Sequence, residues 1–101
     1  MASSGESAAL LRVFPDYSAD PVWTDRGMVD LDELPITDRL RSQLRQWARD
    51  WEALMGVREA RYAIADEPEH QVWLERGRDY ARQLQRELGD SYVVAFEEWP
   101  R

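Results

Sequence analysis

The sequence predicts an α+β fold: a small, mostly antiparallel sheet covered by two antiparallel helices. Three observations carry this. Two amphipathic stretches, each with its own start and stop signals, occupy the middle of the chain. Short apolar runs flank them at both ends. Neither helix can bury its apolar stripe alone, and a sheet made of an N-terminal strand, a short hairpin and a C-terminal strand gives both a surface to pack on. With 101 residues, of which 44% are hydrophobic and 33% charged, the chain suits one globular domain with a modest core.

The elements follow in order. Residues 1–7 read as a disordered leader, and residues 8–99 as a single domain. Ala8 to Phe14 is apolar apart from Arg12 and is stopped by Pro15, which predicts a strand. Two prolines and small polar residues make 15–21 a loop. Val22-Trp23 and Met28-Val29-Asp30-Leu31 flank a turn at Asp25, Arg26 and Gly27, where the glycine supplies positive φ. Thr37 caps the first helix, with Asp38 opposing the helix dipole. Leu40, Leu44, Trp47, Trp51 and Leu54 then form one stripe, and Gly56 ends it. Asp66, Pro68 and Glu69 start the second helix, and Gly89 stops it. Trp73, Gly77, Tyr80, Ala81, Leu84 and Leu88 line its inner face. Gly77 costs about 1 kcal/mol against Ala in a helix, so its use there is a close approach to a neighbouring element. Ser91 to Glu98 completes the sheet, with Tyr92 to Phe96 as its apolar body.

The charge is unevenly spread. The chain carries a formal −7, and residues 1–35 hold seven acids against Arg12 and Arg26. Much of that acidity sits ahead of the first helix among aromatic side chains. Asp16, Tyr17, Trp23, Asp30, Asp32 and Glu33 therefore form the candidate partner-binding set, with the carboxylates meeting cations and an aromatic as packing anchor. Asp30 and Asp32 are expected to alternate onto one exposed strand face. They do not fit a calcium loop, which needs a glycine at its sharp turn where this chain continues Leu34-Pro35.

The remaining constellations predict neither catalysis nor a cofactor. His70 is the single histidine and has no nucleophile or orienting partner in any recognisable pattern, so it reads as a surface residue. No G-x-S-x-G, H-E-x-x-H or Gly-rich phosphate loop occurs. Two arginine rows, Arg41/Arg45/Arg49 and Arg78/Arg82/Arg86, have helical spacing. With the net charge at −7 they read as solvated faces partly paired with neighbouring acids, not as a phosphate track. All thirteen basic residues are arginine, and lysine and asparagine are absent, a bias expected of a GC-rich genome. The chain has no cysteine, signal-peptide pattern or membrane-length apolar run, which predicts a cytoplasmic protein.

Phe14-Pro-Asp-Tyr17, Pro21-Val-Trp23, Met28 to Pro35, Arg39 to Trp51 and Leu88-Gly-Asp-Ser-Tyr92 together resemble a group of small acidic bacterial proteins from GC-rich, often actinobacterial, genomes. The resemblance carries no catalytic residues with it. Size and acidity also resemble immunity proteins that neutralise basic bacterial toxins. The expected function is thus an acidic protein-binding module, which the second resemblance makes an immunity- or antitoxin-like inhibitor, facing a partner with a basic surface and neither membrane nor nucleic acid. A carboxylate-using enzyme or ligand-binding domain is the alternative. A homodimer, built on whatever part of the Trp47/Trp51 stripe the sheet leaves uncovered, also stays open.

Overall fold

The computed structural model describes residues 8–98. The expected leader at 1–7, and Trp99, lie outside the described residues. The chain runs β1 (Ala9–Val13), β2 (Val22–Thr24), β3 (Gly27–Met28), a 3-10 turn (Leu31–Glu33), α1 (Asp38–Met55), α2 (Glu67–Leu88), a second 3-10 turn (Gly89–Ser91) and β4 (Tyr92–Phe96). The α+β architecture is the one the helical stripes and terminal strands predict.

The sheet order is β3-β2-β1-β4. The β1–β2 and β2–β3 pairs are antiparallel, and the β1–β4 pair is parallel, with Ala9 opposite Tyr92 and Val13 opposite Phe96. The parallel pair follows from the connection, because two consecutive helices carry the chain back to the end of the sheet where β1 began. Thr24 opposite Gly27 closes the hairpin around Asp25 and Arg26, and Gly27 has φ +122°, a conformation that L side chains rarely adopt.

The helices start and stop at the expected signals. The Thr37 hydroxyl accepts from the Leu40 N–H, and the Asp66 carboxylate from the Glu69 N–H. Gly56 ends α1 in the left-handed region at φ +67°. The two helices are antiparallel: the start of α1 meets the end of α2, where the Thr37 amide and hydroxyl donate to Glu87. At their midpoints Trp47 and Trp73 stack with ring centroids 4.2 Å apart and an interplanar angle of 2°. Each indole N–H donates to the other residue's backbone carbonyl, at 2.9 and 2.8 Å. Both polar ends of the buried rings are thereby satisfied, which fixes the helix register as well as the packing.

The core joins the inner faces of all three layers of side chains: Leu11, Val13 and Val22 from the sheet, Leu40, Leu44, Trp47 and Trp51 from α1, and Trp73, Leu74, Leu84 and Leu88 from α2. Trp47 and Trp51 are both 1% exposed, so these two rings of the stripe belong to the core, while Leu54 at its end is only partly buried. Gly77 is the point of closest approach. A Cβ there would come within 2.7 Å of Phe96 Cε1 and closer still to Trp47 Cζ2. The glycine thus lets α2 touch α1 and the sheet at once.

Two expectations are corrected. His70 is buried, at 9% exposure, because it shares the inward stripe of α2 with Trp73, Leu74 and Gly77, and its ring lies 5.8 Å from that of Trp73. Asp30 and Asp32 do not alternate along a strand. The β3 strand ends at Met28, and Asp30 caps the 3-10 turn by accepting the Asp32 N–H at 2.9 Å. That local side-chain-to-backbone bond competes with strand pairing and wins.

Candidate protein-docking site

The acidic segment is held against α1 by two arginines. Arg41 reaches back from the first turn of the helix. Its Nε donates to the Leu31 carbonyl at 3.0 Å, and its Nη2 donates to the carbonyls of Leu34 and Ile36 at 3.2 and 3.1 Å. Buried Leu31, Leu34 and Ile36 anchor the same stretch in the core. The outer side of this segment is thus presented on a rigid base.

One turn further along α1, Arg45 gathers three carboxylates. It lies 3.1 Å from Asp20, 3.4 Å from Asp30 and 3.2 Å from Asp32. Asp20 is the most enclosed of the three, with its side chain 18% exposed, and it also accepts the Leu31 N–H at 3.1 Å. Burial pushes the Asp20 carboxyl up, but the hydrogen bonds from Arg45 and Leu31 outweigh it, and its pKa ends below the ordinary aspartate value. The same contacts, led by the bond to Asp20, raise the Arg45 pKa further above its usual value.

Beside this cluster lies a groove of about 460 Å³ between the segment and α1. Asp20, Asp30, Asp32 and Glu52 line it against Arg45 and Arg49, so its formal charge is negative. Its far end is shaped by Ser18, which takes φ +54° and donates its N–H to Glu52 at 2.6 Å. Next to it Tyr17 is 40% exposed, packed over Trp51 with centroids 4.7 Å apart and edge-on to Tyr62 at 5.7 Å.

The six residues singled out by sequence are thus dispersed unevenly. Asp30 and Asp32 meet at the groove, and Glu33 is exposed in the adjoining 3-10 turn. Asp16 is exposed and accepts the Tyr17 N–H. Trp23 is half-buried on the sheet, stacked on Phe14 at 4.9 Å with its indole N–H donating to the Phe14 carbonyl at 3.0 Å. Sequence reasoning missed Asp20, Arg45 and Glu52 as parts of the site. The available signal was the Arg41/Arg45/Arg49 row, which suggests pairing along α1, whereas the partners of Arg45 lie in the preceding segment.

What this arrangement offers chemically is a rigid, net-negative concave face with an aromatic at one end, suited to cationic side chains of another protein. Residues 9–98 match the family model described as Serratia CdiI immunity protein-like. The chain belongs to that family. The match spans every strand and both helices, so the immunity-protein likeness covers the whole described fold. A search of the curated proteins found no match. For a CdiI immunity protein-like chain the relevant partner is a protein, and among the described residues no helix is long and apolar enough to cross a membrane.

Proposed function

We propose that this chain is an immunity-type inhibitor that docks on a basic surface of its cognate toxin through the acidic groove between residues 18–33 and α1. The observation that carries the reading is the convergence of Asp20, Asp30, Asp32 and Glu52 on one concave face of a family member related to immunity proteins. Arg45 sets the spacing of the three aspartates in the free protein, so little side-chain ordering remains to be done on binding. Tyr17 supplies an exposed aromatic at the end of the groove. Inhibition then needs no chemistry from this chain, because covering a basic substrate-binding surface excludes the substrate. The distribution of charge, densest in the N-terminal third, steers that encounter.

The test is co-expression with the protein encoded by the adjacent gene, followed by titration of the purified pair. The reading predicts a stable complex whose association rate falls steeply as salt rises. A complex whose association is indifferent to salt would refute the electrostatic docking mode, and absence of any complex at low salt would refute the inhibitor reading.

A further inference from the structure

The fourth strand offers a second place where a partner can bind, on the opposite edge of the sheet from β3. β4 is an edge strand with β1 on one side only. The Glu97 N–H donates to the Val13 carbonyl at 3.0 Å, so the odd-numbered groups of this strand face β1 and the even-numbered groups face outward. Gln85 of α2 covers the first part of that outward edge. Its Oε1 accepts the Val94 N–H at 2.8 Å, and its Nε2 donates to the Tyr92 carbonyl at 2.8 Å. One side-chain amide thereby takes the place of a neighbouring strand for two backbone groups. Beyond it the Val94 carbonyl and both polar groups of Phe96 have no partner among the described residues.

The open part of the edge runs along a groove of about 420 Å³ between β4 and α2. Arg78 and Arg82 form its helix wall, and Val94, Phe96 and Glu98 its strand wall. Arg78 pairs with Glu98 and Arg82 with Asp79, and both acids are more than half exposed, so these pairs are replaceable at small cost. The Arg78 guanidinium also lies 5.6 Å from the centre of the Phe96 ring. This is a locally basic furrow on an acidic protein.

We propose that the Val94–Glu98 edge accepts an extended peptide segment as a fifth strand, with carboxylates at alternate positions turned toward Arg78 and Arg82. Main-chain bonds to Val94 and Phe96 supply the binding, and the two arginines select acidic over basic side chains. The proposal rests on the protein-binding reading for the origin of the segment, but it uses a different face from the acidic groove.

The test titrates the ¹⁵N-labelled full chain with a blocked Thr-Glu-Val-Glu-Val-Glu-Thr peptide and with its Lys-for-Glu counterpart. The expected result is amide shifts centred on Phe96 and Glu98. The acidic peptide should bind about five- to ten-fold more tightly, as two exposed ion pairs change from repulsion to attraction. Arg82→Glu should remove that preference, and Gln85→Ala should strengthen binding by opening two more backbone groups. Equal binding of the two peptides, shifts confined to other residues, or concentration-dependent shifts at Phe96 without peptide (a second copy on the edge) would each overturn it. Toxin binding lost on charge reversal at the acidic groove reports on the docking reading alone and leaves the peptide result unaffected.

Discussion

Replacing Gly77 with alanine should destabilise the protein by about 2 kcal/mol, although alanine is the better helix former. The helix term alone favours the substitution by about 1 kcal/mol. Against it stands the steric conflict. The new methyl would lie within 2.7 Å of Phe96 Cε1 and nearer still to Trp47 Cζ2. Trp47 cannot withdraw, because its ring is stacked on Trp73 and tied by reciprocal indole-to-carbonyl bonds. Forcing a methyl into a packed core costs typically about 1–3 kcal/mol, and two aromatic rings in the way put this site at the upper end. The net effect should lower the melting temperature by about 8–16 °C for a domain of this size. Urea denaturation followed by tryptophan fluorescence measures it. Phe96→Ala should relieve part of the conflict, so the double variant should be less destabilised than the sum of the singles. A Gly77→Ala protein as stable as the parent would refute the close-approach argument.

Three further outcomes follow from the same contacts. Thr37→Ala removes the α1 cap and a hydroxyl donor to Glu87 and should cost about 1–2 kcal/mol, whereas Thr37→Ser should recover most of that in thermal melts. Asp20 and Glu87 both have lowered pKa values; burial raises each, and hydrogen bonds, from Arg45 and Leu31 to Asp20 and from Thr37 and Gln83 to Glu87, outweigh it. Their stabilisation should be complete above the unfolded carboxylate values of about 4 and be lost as pH falls through the lower folded values, so Asp20→Asn with Glu87→Gln should flatten the melting-temperature profile below about pH 4. Arg45→Gln should weaken the fold, by leaving Asp20 with the Leu31 amide alone, yet accelerate association with a basic partner because the groove becomes more negative; stopped-flow mixing separates the two effects.

The helices were legible because their signals are local. Thr37 and Asp66 cap, Gly56 and Gly89 stop, and the apolar stripe between each pair has helical spacing. The hairpin was legible for the same reason, with Gly27 marking its turn. What the chain order did not disclose were features decided by distant residues. His70 lies in a charged first turn but is drawn inward by its neighbour Trp73 and the buried stripe that follows. Asp30 looks like a strand residue until its carboxylate bonds two residues ahead. Asp30 and Asp32 were visible as site acids, but Asp20 and Glu52 were not, and the cation organising the three aspartates comes from α1, fifteen residues after Asp30. Trp23 was grouped with those acids by proximity in sequence, and the hairpin carries it instead onto the sheet beside Phe14.

The groove beside Arg45 is proposed as the face that meets a basic partner. Two charge reversals test this through affinity for the partner recovered by co-expression, each variant first checked for an unchanged melting temperature. Asp30→Lys alters the groove, and Glu75→Lys alters an exposed acid on α2 outside it. Asp30→Lys should weaken binding about ten-fold at low salt, mainly through the association rate, while Glu75→Lys should leave it within about two-fold. Binding that tolerates Asp30→Lys and fails with Glu75→Lys would overturn the groove as the docking face.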